Sequence, residues 1–242
     1  MKLDISRVTQ SKFSSLKKDV LLLPVGSLEA HYNHLPLGTD TIIAQSFAEE
    51  VSKRTGWPFL PAFQYGYIYG LRNFNGSITI SDELLRLFIV EIVKEAGKNN
   101  FKLLALINGH IPNAPVINQA LLRATEETKI KGVNLTFPDY NEAYNKFCES
   151  KMWMPGIFHA DELETSLMLY LQPRLVDIKK AVKNYPAVPK TFGYMSLSWD
   201  EFTSISIAGD PTLATKDKGK KIFNFFVEKI IEIISQALGQ QK

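Results

Sequence analysis

The chain has 242 residues, of which 45% are hydrophobic and 22% are charged, and its formal net charge is +3. These values are ordinary for a packed globular protein and exclude an intrinsically disordered chain. The small net charge gives no indication of nucleic acid or of an anionic membrane as a partner.

The cysteine content and the N-terminal segment indicate in which cellular compartment the protein is expected. Cys148 is the single cysteine, so no intramolecular disulfide can form and an oxidising compartment is not required. No apolar run approaches the roughly 20 residues that span a bilayer, and the polar N-terminal segment lacks the apolar core of a signal peptide. We therefore expect a cytoplasmic protein with no membrane partner.

Strand and helix patterns alternate along the chain, which predicts a mainly parallel sheet with helices on both faces. Continuous apolar runs predict buried strands at residues 20–25, 101–107 and 133–137. Residues 59–69 are interpreted as a further strand followed by a loop. Helical spacing and end signals predict helices at residues 41–54, 82–95, 114–129, 161–171 and 218–238.

The same pattern bears on domain organisation and packing. No repeat or clear linker divides residues 1–242, so we predict a single domain. The helix that follows the N-cap Ser81 is expected to bury one apolar face, made by Leu84, Leu87, Phe88 and Ile92. Residues 179–210 show few periodic signals and are interpreted either as an extended flap or as an oligomer contact.

The histidines His31, His34, His110 and His159 lie in three short polar segments, two of which directly follow predicted strands. Parallel α/β sheets form their sites beyond the carboxyl ends of the strands. Glu29 and His31 are two residues apart and point the same way in extended backbone, as a metal half-site requires. These positions therefore indicate a shared site rather than histidines scattered for packing.

Three carboxylates accompany the histidines. Asp40 follows Glu29 after a turn, and Glu164 lies beside the core face of the helix predicted at residues 161–171. Taken singly, Glu29 can be a surface ion pair and Asp40 a helix N-cap. Taken together, two or three histidines and three carboxylates suit Zn²⁺, Mn²⁺ or Fe²⁺, and a shared carboxylate can bridge two ions roughly 3.5–4 Å apart.

The motifs that contain these residues resemble those of the creatininase (creatinine amidohydrolase) family. The segment from Glu29 to Asp40 is similar to its signature, Glu-Gln-His-Gly-Pro-His-Leu-Pro-Leu-Gly-Thr-Asp. Four further segments resemble its other motifs in the same order: Phe74-Asn75-Gly76-Ser77-Ile78, Asn108-Gly109-His110-x-x-Asn113, His159-Ala160-x-x-x-Glu164-Thr165 and Gly209-Asp210-Pro211-x-x-Ala214-Thr215-x-x-x-Gly219. The matches run through nearly the whole chain.

The resemblance implies a three-layer α/β/α sandwich with two divalent metal ions that hydrolyses the non-peptide C–N bond of a cyclic amide or formamide. It also implies a homo-oligomer, often a hexamer in this family. By position it assigns catalysis to Glu164 and to His159, which would titrate near neutrality and protonate the leaving nitrogen. It assigns metal binding to Glu29, His31, Asp40, His110 and Glu164, with Asp40 bridging, and substrate binding to Ser77, Gly109 and His34.

Several positions depart from the family pattern. Pro112 stands where creatininase itself carries a ligand Glu, Tyr32-Asn33 replaces Gly-Pro, and Asp161 replaces a common Gly. The chain can still bind the metal ions despite these changes if Glu164 completes the set of ligands. The substrate pocket, however, is expected to differ from one that accepts creatinine.

The main alternative is a non-catalytic ligand-binding or structural homo-oligomer on the same fold, which metal analysis would distinguish. Residues 24–28 lack the glycine pattern of a nucleotide site, and the chain has no Gly-x-Ser-x-Gly elbow. A nucleophilic Cys148 is disfavoured because no histidine lies near it in sequence. Both a pocket position and a packing role stay open for the aromatic residues Tyr65, Tyr67, Tyr69, Trp153 and Trp199.

Overall fold

The structure is a computed structural model that describes residues 2–239, and over that range it contains seven α-helices and three β-strands. The strands are β1 (Val20–Val25), β2 (Leu103–Asn108) and β3 (Lys131–Thr136). The helices are α1 (Gln10–Ser14), α2 (Thr39–Thr55), α3 (Asp82–Lys98), α4 (Asn113–Glu127), α5 (Tyr140–Phe147), α6 (Glu162–Leu171) and α7 (Lys216–Ala237).

The three strands form one parallel sheet in the order β1-β2-β3. Val25 is in register with Asn108, so β1 and β2 end at the same edge of the sheet. The further strand predicted at residues 59–69 does not form, because Phe59 and Phe63 make only isolated bridges to β1. Prolines at positions 58 and 61 explain the interruption, since proline has no N–H for a strand ladder.

Separate apolar clusters cover the two faces of the sheet. Val20 and Leu22 of β1 pack in a cluster with residues of α2, α6 and α7. Leu21 and Leu23, which point to the opposite face, pack in a cluster with residues of α3 and α4. The predicted three-layer α/β/α arrangement is therefore confirmed.

The five predicted helices are confirmed as α2, α3, α4, α6 and α7, with each boundary within three residues of its predicted position. The short helices α1 and α5 were not predicted, because neither is long enough to show a periodic apolar face. Between residues 2 and 239, no helix is both long enough and apolar enough to cross a membrane.

Helix α3 buries a face that overlaps the predicted one only in part, since Phe88 and Ile92 are half-buried against the core as predicted. Leu84 and Leu87 are 54% and 40% exposed, whereas Leu85, Ile89 and Val93 are buried. Both sets have helical spacing, because apolar residues are adjacent at several points of this helix. Packing against α4 selects the buried set, and the sequence of α3 alone does not contain that information.

Helices α6 and α7 meet at a close contact that depends on Gly219. A Cβ atom at this position would lie 1.8 Å from the carbonyl oxygen of Ser166. We expect Gly219→Ala to lower the free energy of unfolding by about 2–3 kcal/mol, because the added methyl group forces the two helices apart.

Gly97 in α3 offers a matched control for this substitution. A Cβ atom there meets nothing closer than 3.6 Å. We expect Gly97→Ala to raise the free energy of unfolding by about 0.5–1 kcal/mol, because alanine loses less backbone entropy in a helix. Urea unfolding of both variants measures the difference, and similar effects of the two substitutions would contradict the close contact at Gly219.

Candidate metal centre

Six polar side chains from separate segments meet beyond the carboxyl ends of β1 and β2. Each of them is at most 7% exposed. They are Glu29, His31, Asp40, His110, His159 and Glu164. All five predicted metal-binding residues and the predicted proton-transferring histidine are thus brought together.

The order of elements explains why these side chains converge. The loop after β1 carries Glu29 and His31, and Asp40 lies in the first turn of α2. His110 follows β2 directly, at the same edge of the sheet. Glu164 lies in the first turn of α6, whose N-cap Asp161 accepts hydrogen bonds from the first turn of that helix.

Asp40 lies at the centre of the cluster. Its Oδ1 atom is 3.2 Å from His31 Nε2, and its Oδ2 atom is 2.9 Å from His110 Nδ1. Glu29 Oε2 lies 3.3 Å from His110 Nδ1 and 3.6 Å from His159 Nδ1. These distances place several potential ligand atoms within the reach of a single cation.

Each of the three histidine rings is held by a backbone carbonyl on the side away from the cluster. His31 Nδ1 donates to Glu29 O at 3.0 Å, His110 Nε2 to Tyr67 O at 3.1 Å, and His159 Nε2 to Ala30 O at 2.8 Å. The other nitrogen of each ring faces the carboxylates. This is the outer-layer arrangement that orients metal-binding histidines.

The His31 nitrogen that faces the cluster provides a test of fit for a metal ion. Within residues 2–239, the buried Nε2 atom of His31 has no hydrogen-bond partner, although Asp40 lies 3.2 Å away. Buried polar atoms without a partner are rare and call for an explanation. A cation held between His31 and the carboxylates would satisfy this atom, so the residues present fit a metal ion.

The charges of the cluster point to the same conclusion. Burial disfavours the charged form of His31, yet the negative charge of Asp40, with those of Glu164 and Glu29, raises its pKa to about 9. Burial also raises the pKa of Glu164 well above its usual value. The negative charges of these buried carboxylates therefore favour a positive charge close to them. A divalent cation between the carboxylates provides that charge more directly than protons on histidine do.

The near-neutral titration predicted for His159 is wrong for this arrangement. Burial, and then the positive charge of His31, lower the pKa of His159 to about 4. The hydrogen bond from Nε2 to Ala30 O leaves Nδ1 facing the cluster, 3.6 Å from Glu29 Oε2.

Several supporting contacts were missed by sequence reasoning. Ser27 Oγ donates to Asp40 Oδ2 at 2.6 Å, and Asn113 Nδ2 donates to Gly26 O and to Asn108 Oδ1. These bonds tie the loop after β1 to the end of β2. Asn113 lies in one of the family-like motifs, but its role was not evident without the fold.

The three predicted substrate-binding residues occupy different places. Gly109 lines a cavity above the cluster, and a Cβ atom there would lie 2.2 Å from Asp40 O. His34 and Ser77 do not line this cavity. His34 Nε2 bonds to Thr165 Oγ1 at 3.0 Å, and Ser77 Oγ accepts from Ala30 N at 3.1 Å. Both support the loops around the cluster from behind.

The cavity above the cluster has a volume of about 390 Å³. Of the aromatic residues whose place was open, Tyr67, Tyr69 and Trp199 line it. Tyr65 and Trp153 do not line it. Residues 179–210 contribute Phe192, Leu197 and Trp199 to its wall, which supports the flap interpretation of that stretch.

The family of the chain follows from its match to a known sequence family. Residues 6–234 match the family Creatininase, described as creatinine amidohydrolase. The chain belongs to the creatininase family. It is a hydrolase, and the predicted action on carbon–nitrogen bonds other than peptide bonds is confirmed at the level of this family.

Two curated creatininase-family relatives match most of the chain. Creatinine amidohydrolase of Pseudomonas putida is 26% identical over 232 residues, which cover 90% of this chain and 89% of the relative. The mycofactocin precursor peptide peptidase of Mycobacterium ulcerans (strain Agy99) is 30% identical over 228 residues, which cover 89% of this chain and 84% of the relative.

Solved creatininases share the fold over nearly the whole chain. A creatininase mutant described as Zn-Zn type superposes with a TM-score of 0.89 at 24% identity, covering 98% of this chain and 99% of that chain. A creatininase described with Mn superposes with a TM-score of 0.87 at 24% identity and the same coverage. The predicted fold class is confirmed.

Proposed function

We propose that this enzyme holds two divalent metal ions side by side and hydrolyses the C–N bond of a small cyclic amide or formamide. The observation that carries the proposal is that two sets of donors share Asp40. Glu29, Asp40 and His110 form one set, and His31, Asp40 and Glu164 form the other, with the donor atoms of each set within 4.8 Å of one another. A carboxylate shared in this way is suited to bridge paired ions.

Glu164 completes the second set in a chain that lacks another acid at this place. Pro112, two residues after His110, lines the cavity where creatininase itself carries a ligand Glu. Glu164 instead reaches the cluster from α6, and it is 3% exposed. We infer that Glu164 completes the metal-binding residues without the acid that creatininase carries at the position of Pro112.

The donor types limit the choice of metal. Imidazole and carboxylate ligands without cysteine suit Zn²⁺, Mn²⁺ or Fe²⁺. The solved creatininases described with zinc and with manganese support the first two of these ions.

The proposed reaction divides the work between the ions and the side chains. Two ions bound in these sets would acidify a water molecule and polarise the amide carbonyl. His159 keeps Nε2 bonded to Ala30 O and presents Nδ1 to the cavity, where Nδ1 would accept the proton released by the attacking water and pass it to the leaving nitrogen. This proton matters because an amide nitrogen is a poor leaving group. Glu164 would take part in the reaction as a metal ligand of the second donor set, next to the reacting atoms.

Positioning roles are proposed for two residues behind the site. Ser77 accepts from Ala30 N, and the carbonyl of Ala30 in turn accepts from His159 Nε2. The residue is therefore placed to orient His159 rather than to contact substrate. His34 would hold α6 through Thr165, next to Glu164. Gly109 stays the proposed substrate contact, because it lines the cavity.

Metal removal tests the proposal. We expect dialysis against a chelator to abolish hydrolysis of a panel of cyclic amides and formamides, and addition of Zn²⁺, Mn²⁺ or Fe²⁺ to restore it. Because the ions bind the folded state, loading at 100 times Kd should stabilise the protein by about 2.7 kcal/mol for each bound ion, seen as a higher Tm. A purified chain with no stoichiometric metal and no metal-dependent change in Tm would support the non-catalytic alternative.

We also propose that the chain forms a homo-oligomer and acts in the cytoplasm. Support for self-association comes from large apolar side chains at the surface, among them Leu84, Tyr194 and Met195, which are 54%, 91% and 59% exposed. Light scattering coupled to size-exclusion chromatography should give a mass that is a multiple of 27.3 kDa. A monomer at micromolar concentration would contradict this expectation.

A further inference from the structure

The cavity above the metal cluster has a charged floor and an uncharged wall. The floor consists of cluster residues, including Glu29, Asp40 and Glu164. Apart from the cluster, the residues that line the cavity within the described part of the chain include no Lys, Arg, Asp, Glu or His. The wall consists of apolar and aromatic residues, and its aromatic members are Tyr67, Tyr69, Phe158, Phe192 and Trp199.

Contacts within the chain hold Trp199 of this wall in place. Trp199 is 8% exposed and packs edge-on against His159, with ring centroids 5.9 Å apart, and against Trp153 at 5.0 Å. Its backbone N–H donates to Gly70 O at 2.8 Å, and Ser198 Oγ donates to the same carbonyl at 2.9 Å. The ring therefore forms a fixed surface directly beside the proposed proton-transferring histidine.

The basic residues Arg72 and Lys183 do not line the cavity and already have partners. The Arg72 guanidinium lies 5.3 Å from the Tyr69 ring centroid and donates to Tyr69 O, but it does not line the cavity. Lys183 lies 3.7 Å from Asp210 and also lies outside the lining. A carboxylate or phosphate held against the wall of this cavity, away from the metal ions, would therefore lack a positively charged partner, which is costly.

We propose that the substrate is an uncharged amide that carries a flat, apolar group, such as an aryl ring, and that this group sits against Trp199 and Tyr69 while the amide reaches the metal ions. This inference rests on the proposed function and narrows its substrate class. Aromatic walls bind flat rings through area burial and edge or stacking contacts. The same wall disfavours anionic substituents because, within the described part of the chain, it contains no Lys or Arg that could neutralise them.

Three hydroxamates test the proposal on the metal-loaded protein, with affinities measured by calorimetry. Acetohydroxamate reports the metal ions alone, benzohydroxamate adds a neutral ring, and 4-carboxybenzohydroxamate adds a charge to that ring. We expect the neutral ring to improve affinity at least about tenfold through apolar burial, and the added carboxylate to reverse that gain.

The outcomes separate this inference from the proposed function. If acetohydroxamate binds but the ring gives no improvement, or the carboxylate binds equally well, the inference is overturned and the metal centre stands. If none of the three binds to the metal-loaded protein, both the metal chemistry and the inference fail.

A charge placed in the wall gives a second test. Leu197 lines the cavity, so Leu197→Arg should improve the affinity for 4-carboxybenzohydroxamate at least about tenfold relative to benzohydroxamate. Leu213 is 38% exposed and lies outside this cavity, so Leu213→Arg is the matched control and should leave the ratio unchanged. Equal ratios in the two variants would overturn the assignment of Leu197 to the substrate wall.

Discussion

Replacing Asp40 with alanine is expected to remove both of the proposed metal ions and, with them, nearly all of the proposed amide hydrolysis. Asp40 is the one residue of the described chain shared by the set with His110 and the set with Glu164. One Asp40 oxygen lies 3.2 Å from His31 Nε2, and the other lies 2.9 Å from His110 Nδ1. The substitution therefore removes a ligand atom from both donor sets at once. Elemental analysis of the purified variant and its kcat measure the effect.

Two further variants show whether this effect is specific to the shared position. Glu164→Gln alters only the second set, so we expect it to retain about one equivalent of metal. Asp217→Ala removes an exposed acid from the first turn of α7 and should retain the full metal content and activity. If Asp40→Ala kept both ions, or lost no more than Glu164→Gln, Asp40 would not be a bridge.

The second large effect is expected at His159. We predict that His159→Ala keeps its metal but loses about 10²–10⁴-fold in kcat, the usual contribution of a general acid or base. The Nδ1 atom of His159 faces the cavity, while Nε2 is engaged by Ala30 O. Metal analysis and steady-state kinetics on the same preparation measure both quantities.

Comparison with Glu29→Ala distinguishes a proton-transferring role from a ligand role for His159. Glu29 belongs to a donor set with Asp40 and His110, and its alanine variant should lose metal. His159 also lies within reach of Glu29 and His31 in a third set of donors. Loss of metal in His159→Ala would make it a ligand, and an unchanged kcat would remove it from the reaction.

Much of the fold was predictable because buried parallel strands leave an unambiguous pattern. The apolar runs of β1 and β2 are buried throughout, and helices separate them as the βαβ rule requires. The face of α3 was not predictable, since Leu84 and Leu85 are equally apolar and tertiary packing alone decides which is buried. Sequence reasoning is limited in the same way at Phe59 and Phe63. A segment that makes only isolated bridges has the same apolar pattern in sequence as a segment that forms a full strand.

The metal cluster was predictable for a related reason, since polar residues directly after buried strands must meet at one edge of the sheet. Glu29, His31 and His110 follow this rule, and α6 brings Glu164 to the same place. The contacts that orient the histidines were not predictable, because carbonyl groups such as Tyr67 O carry no signal in the sequence. The same holds for the wall contributed by residues 179–210, which have no periodic pattern.

Anomalous X-ray diffraction from crystals of the zinc-loaded enzyme tests the central claim most directly. We predict two peaks roughly 3.5–4 Å apart on either side of the Asp40 carboxylate, one beside His110 and the other beside His31 and Glu164. A single peak, or peaks that do not contact Asp40, would contradict the paired-metal account of this enzyme.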